Sequence, residues 1–340
     1  MTNKNISSRP EPLFLEPVGK DYLWGGQRLK TEYGKQLPQT PLAESWECSV
    51  HPDGLSTVRG GAYDGQTLQE VLRRHPEYVG THPAREELLS GDALPILVKF
   101  IDARENLSVQ VHPDDAYARE YEDGQRGKSE MWYVADAQEG ARLVYGFNRE
   151  LSYKELEESL RAGTVERYLQ KVPVRRGDVF FVEAGTVHAI GAGILLVEVQ
   201  ESSNLTYRLY DYNRVDKDGK PRPLHIDKAL QVAVRQGSPR PRQPMRVLRY
   251  RPGSASELLC RCGYFQVERY LLNTETTRAL ARVQVRENSF RLFVCLGGCG
   301  SICTEGGNIR NFFKGDTFFV PAGTQELKFH GKAQFLTVTC

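Results

Sequence analysis

The chain has 340 residues, of which 40% are hydrophobic and 26% charged. That is the composition of a globular protein of about two domains with ample core. Lys and Arg number 45 against 43 Asp and Glu, a net charge of +2, so no global field draws the chain to nucleic acid or an anionic membrane. A local basic site for a small phosphate remains compatible with that balance.

Residues 1–10 are polar and lack the apolar core of a signal peptide. The most apolar later stretch, residues 189–197, is broken by glycine and far shorter than the roughly 20 residues a spanning helix needs. We therefore expect no membrane partner. The seven cysteines form no Cys-x-x-Cys pair. Cys295, Cys299 and Cys303 recur every four residues, but their neighbours read as strand and turn, where that spacing is not a zinc hairpin. The expectation is a reduced, cytoplasmic enzyme.

Residues 11–60 are turn-rich, with Trp24-Gly25-Gly26 followed by an alternating, strand-like run from Ser45 to Val50. Thr67 and Glu70 form a capping box that opens a helix ending near His75-Pro76, and Ser152 and Glu155 open another with Leu156 and Leu160 on one face. Elsewhere short runs of Val, Phe, Tyr and Leu are punctuated by Gly and Pro, the pattern of a sandwich or barrel.

An internal repeat organises the chain. Arg176-Gly177-Asp178, Phe180-Phe181-Val182 and Ala184-Gly185-Thr186 return 138 residues later as Lys314-Gly315-Asp316, Phe318-Phe319-Val320 and Ala322-Gly323-Thr324. Each copy reads as turn, strand, turn. The preceding strand repeats as well, with Trp132-Tyr133-Val134 answered by Leu292-Phe293-Val294. Two similar β-domains follow, divided near 240 within a Pro-rich connector over 236–244. Six arginines lie between Arg235 and Arg251. Only Tyr250 accompanies them as an aromatic platform, so they read as a solvated linker and no nucleic-acid partner is expected.

The repeat is an internal control for function. Copy one ends in His188 where copy two has Glu326, so the histidine is not needed for the turn. Upstream, residues 107–113 read as a strand stopped by Pro113, whose period of two puts Ser108, Gln110 and His112 on one face. Lys128 and Glu130 share a face of the next strand, and copy two places Asn288 and Phe290 there. Two imidazoles, a carboxylate and an amide oxygen converging in one barrel suit Zn²⁺, with Mn²⁺ or Fe²⁺ also compatible. His51-Pro52-Asp53-Gly54 resembles the start of this pattern but has Ser49 where the glutamine should be; it reads as a turn. His75, His82, His225 and His330 have no partners in sequence. Downstream, Arg208 shares a face with Thr206, Tyr210 and Tyr212. Its guanidinium is suited either to a buried carboxylate or to a sugar oxyanion or phosphate.

At these residues the sequence resembles the type I mannose-6-phosphate isomerases, in their shorter bacterial form, within the cupin superfamily. The resemblance runs from about Leu13 to Cys340 and is densest at residues 108–113, 127–133, 185–191 and 206–212. Trp24-Gly25-Gly26 and Glu44-Ser45-Trp46-Glu47 also fit. The resemblance implies a mainly β fold of two cupin-type jelly rolls with a few short helices. The catalytic roll with its N-terminal β extension and helices would occupy residues 1–240, and a degenerate, metal-free roll residues 241–340. It implies one Zn²⁺ per chain on His112, Glu130 and His188 with Gln110 as a further ligand. Arg208 and Lys128 match the family's catalytic residues, and Ser108 joins them in substrate binding. The implied reaction interconverts mannose 6-phosphate and fructose 6-phosphate through an enediol. An Fe²⁺ cupin enzyme, distinguished by its metal and need for oxygen, and a non-catalytic cupin that only binds a sugar phosphate are the alternatives. Oligomeric state is not readable.

Overall fold

The structure, a computed structural model, describes residues 10–83, 94–215, 219–239, 241, 243, 245–277, 279–304 and 306–340. Most of the polar N-terminus, and Arg240, Arg242 and Pro244 of the connector, lie outside those residues. The described chain is mainly β-strand, with five short α-helices. It divides into two compact units, one of residues 18–46 and 96–244, the other of residues 1–17, 47–95 and 245–340.

The first unit is built from two sheets. One runs Val179–Val182, Glu130–Ala137, Ile194–Glu201, Ile96–Ala103, Glu44–Cys48, Val18–Lys20. The other runs Tyr207–Tyr210, Val109–Val111, His188–Ala189, Arg142–Phe147, Leu169–Pro173. Trp24, Ile101, Trp132, Phe180, Ile190 and Leu196 belong to one buried cluster. The strand that begins at Glu44 departs from the alternation read in its sequence, because its polar residues are buried along with its apolar ones.

The second sheet is positioned by the period of its strands. Val109, Val111 and Leu209 pack against Leu156 and Leu160 of the helix Tyr153–Arg161 and against Ala229 and Leu230 of the helix Ile226–Val232. Burying each such side chain contributes roughly 1.5–3 kcal/mol. With those residues committed to the helices, Ser108, Gln110 and Arg208 must face the other way, since neighbours along a strand point to opposite faces. Both helices announced by capping boxes form, with the reciprocal Thr67–Glu70 and Ser152–Glu155 bonds in place, and the first stops at His75. The double glycine is explained by close approach: a Cβ on Gly25 would lie 2.5 Å from that of Ala43, and one on Gly26 would collide with the Asp102 carboxylate.

The second unit is a ten-stranded sheet whose longest strands are Arg291–Cys303 and Gln325–Thr339. Its core is aromatic, with Phe293 packed 4.9 Å from Phe318 and 5.3 Å from Phe329. Cys295, Cys299 and Cys303 all lie along the single strand Arg291–Cys303, and all three are free thiols.

The repeat read in the sequence is a repeat of conformation. Gly177 and Gly315 have φ of 91° and 93°, in the left-handed region that favours glycine, and the strands Val179–Val182 and Thr317–Val320 follow them. The preceding strand repeats with a register one residue different from the sequence match. Val182 pairs with Glu130, and Val320, its counterpart, pairs with Arg291. Trp132 therefore corresponds to Phe293 and Glu130 to Arg291, not to Phe290. The His188–Glu326 match also needs correction. Gln325 takes φ 69°, and on the strand it opens Leu327 and Phe329 enter the core. Glu326 thereby faces the opposite side, bonded to Arg282 at 2.6 Å and to Gln284 at 3.1 Å.

Candidate metal centre and adjoining cavity

Strand pairing brings the predicted residues together. Gln110 stands opposite His188 on one neighbouring strand and opposite Arg208 on the other. Glu130 opens the strand that pairs with Ile194–Glu201. His112, Glu130 and His188 converge with their ligand atoms within 4.8 Å of one another, and all three are buried. His112 Nε2 lies 3.0 Å from Glu130 Oε1 and His188 Nε2 3.8 Å from Glu130 Oε2. Gln110 reaches the same point, its amide 3.3 Å from His188 Nε2.

The hydrogen bonds behind the ligand atoms decide which imidazole nitrogens face inward. His112 Nδ1 is 2.8 Å from the Leu205 carbonyl and His188 Nδ1 2.8 Å from the Thr186 carbonyl. A carbonyl only accepts, so each Nδ1 carries the proton and each Nε2 lone pair points at the centre. Fixing imidazole ligands through the second nitrogen is what metal sites require. Burial, then the Lys128 ammonium, lowers the His112 pKa to about 3, and burial also lowers that of His188. Burial pushes the Glu130 carboxyl up, but Lys128 and the imidazoles outweigh it and hold its pKa well below the usual range. At neutral pH the set is two neutral imidazoles and one carboxylate, which fits a divalent cation of the zinc, manganese or iron type.

Lys128 adjoins the cluster, bonded to Glu130 and with Nζ 3.3 Å from His112 Nε2. Gln110 and Lys128 also line a cavity of about 290 Å³, walled further by Ser108, Arg208, Asn204, Thr206 and Arg222. Arg208 has no carboxylate partner among the described residues. Its Nε donates to Ser108 Oγ at 3.3 Å and its Nη1 to the Pro223 carbonyl at 2.9 Å. Arg222 is bidentate to Asp211, at 2.7 and 2.6 Å. Burial, then Arg222, lowers the pKa of Arg208, the signature of a cation held without a matching anion.

Several residues of this region escaped the sequence reading. Glu198 and Lys99 line the cavity and are paired at 3.0 Å, with Glu44 3.6 Å from the same ammonium. Glu198 also accepts the Trp132 indole N–H at 2.7 Å and lies 3.8 Å from Lys128 Nζ. Burial, then the Glu130 charge, raises its pKa. The available signal was chemical: a carboxylate and an ammonium in the middle of fully buried strands must be paired. His225, read as background, brackets the Arg208 backbone, accepting its N–H at 3.1 Å and donating to its carbonyl at 2.8 Å. His51 stays in a turn, its carbonyl accepting from Gly54 N–H at 2.9 Å.

Comparison with known proteins gives the following. Residues 13–156 match the family described as phosphomannose isomerase type I, catalytic domain, and residues 256–340 the family described as mannose-6-phosphate isomerase, cupin domain. The mannose-6-phosphate isomerase ManA of Bacillus subtilis is 37% identical over 95% of this chain and 97% of its own length. The mannose-6-phosphate isomerase of Streptococcus mutans is 44% identical over 65% of this chain and 67% of its own. A crystal structure of the mannose 6-phosphate isomerase from Bacillus subtilis superposes with a TM-score of 0.85 at 33% identity, covering 97% of this chain and 99% of that one.

Proposed function

We propose, from the premise that the chain belongs to the type I phosphomannose isomerases, that it interconverts mannose 6-phosphate and fructose 6-phosphate with one zinc ion per chain. His112, Glu130 and His188 would hold the ion, with Gln110 as a further ligand. The observation that carries this reading is the convergence of that buried donor set with Lys128 at the wall of a cavity that also presents Arg208. The cavity's volume of about 290 Å³ is near the lower bound of small-molecule sites, which suits a hexose phosphate.

When bound, the ion supplies Lewis-acid polarisation of the sugar carbonyl, worth several kcal/mol. The chain's own residues do the rest. The reaction removes a proton from C2 of the aldose and delivers one to C1, while a hydroxyl proton moves from O2 to O1 through the enediol. Lys128 and Glu198, 3.8 Å apart, form a donor–acceptor pair that handles protons at these carbons and oxygens. Positioned acid–base groups of this kind typically contribute about 10²–10⁴-fold. Arg208 faces the anionic substrate, and Ser108 aims its guanidinium. The catalytic work lies in residues 18–46 and 96–244, and the second jelly roll is metal-free. Seven free cysteines fit a reducing compartment, and we place the enzyme in the cytoplasm. No helix among the described residues is long and apolar enough to cross a membrane.

The test is a coupled assay of mannose 6-phosphate turnover before chelation, after chelation and after zinc add-back. Activity should vanish with the ion and return with it. Folded, zinc-loaded protein without turnover overturns the reading in favour of a sugar-phosphate-binding cupin, and restoration by Fe²⁺ alone overturns the choice of metal.

A further inference from the structure

The corrected register changes what stands at the mouth of the second jelly roll. Where the first roll has the carboxylate Glu130, the second has the guanidinium of Arg291. Arg291, Arg286 and Arg261 line one cavity of about 650 Å³ together with Gln284 and His82, and no Asp or Glu side chain is among its lining residues. Glu326, the acid nearest in the repeat, is taken up by Arg282 and Gln284. Arg286 is exposed and has no ion-pair partner among the described residues. Among the described residues Arg261 uses only Nε, donating to Gln266 Oε1 at 2.7 Å. Arg291 is 24% exposed, and its carboxylate neighbour, Glu268, stands at the 4.0 Å limit of an ion pair. Burial lowers the pKa of Arg291.

We infer that this cavity is a second anion site, built for a small phosphorylated metabolite. Three guanidiniums line one concavity with no acidic side chain among its lining residues, an excess of positive charge that attracts a polyanion. Guanidinium forks match phosphate oxygens two at a time, and charge-assisted bonds of that kind are the strong ones. Cys340 also lines the cavity, its N–H bonded to Ser289 Oγ at 3.1 Å. The inference does not depend on the isomerase reading, because it concerns the other unit and binding alone.

Calorimetric titration of the full-length, metal-loaded protein with inorganic phosphate at low ionic strength tests it. The expected result is a site that survives Arg208→Ala and weakens about tenfold or more in Arg286→Gln and again in Arg261→Gln, each lost bond to a charged group being worth roughly 1.5–3 kcal/mol. Both residues are exposed, so the variants should fold, and their saturated isomerase turnover should stay within twofold of the parent. Phosphate binding that disappears in Arg208→Ala, that persists unchanged in the Arg261→Gln, Arg286→Gln double variant, or that is absent from the parent overturns the inference.

Discussion

The two jelly rolls share a turn, a strand and a second turn, and they part company where that hairpin meets its neighbours. In the first roll, Glu130 opposite Val182 completes a buried donor set with His112 and His188. In the second, Arg291 holds the place of that carboxylate opposite Val320, and Leu327 joins a core of stacked phenylalanines. Scaffold and chemistry are thus separable in one chain: left-handed glycines and a Phe-Phe strand suffice for the fold, and a few inward positions set the charge at the barrel mouth.

The largest effect should come from removing the carboxylate that distinguishes the rolls. Glu130→Gln should empty the metal site and lower kcat by about three orders of magnitude, the several kcal/mol expected of a Lewis acid. Arg291→Gln should leave metal content at one ion per chain. Atomic emission on both purified variants, with kinetics on the first, makes the comparison, and equal metal loss in both would collapse it. Next, Arg208→Ala should cut turnover about 10²-fold while metal content is unchanged, as for the loss of a charged stabiliser aimed at substrate. Unaltered kinetics would remove Arg208 from the site.

Corresponding interior positions offer a third contrast. Phe293→Ala should destabilise the fold by roughly 3–5 kcal/mol through its cavity alone. Trp132→Phe leaves the packing largely intact but strips an indole N–H from Glu130 and Glu198, which accept it at 3.0 and 2.7 Å. It should weaken metal retention more than it lowers the melting temperature. Denaturant titration beside metal analysis separates the two.

A further contrast concerns pH. Burial, then Asp115, raises the Glu201 pKa to about 8 in the folded chain, against about 4.3 for an unperturbed glutamate. Between those values the folded state keeps a proton that the unfolded state releases, so stability falls as pH rises through the window and levels off above it. Glu201→Gln should remove that slope, on the order of a few kcal/mol across the window. Melting temperatures of metal-free protein from pH 5 to 8.5 check it, and identical slopes in variant and parent would refute the assignment.

Much of this was legible in the residues themselves. Capping boxes located two helices, the Gly-Asp turn located both hairpins, and period two put Gln110 beside His112 and Lys128 beside Glu130. What a chain read in one dimension lacks is the identity of the strand across the gap. Glu198, Lys99 and Glu44 neutralise one another over three strands, and nothing local announces that. The one-residue error in the second copy has the same origin, since apolar three-residue matches fit either register equally. The misplacement of Glu326 came from Gln325, a non-glycine residue at positive φ, which no turn rule assigns there.

The burial of the ligand atoms bears on traffic. His112, Glu130 and His188 are each no more than 1% exposed, and the cavity beside them is bounded by Gln110 and Lys128, which touch the same atoms. On the proposed function, an ion entering or leaving by that route would share a doorway with the sugar. A sugar phosphate seated there would act as a stopper. Saturating substrate should slow the escape of the ion to a chelator, so a busy enzyme keeps its cofactor and an idle one sheds it.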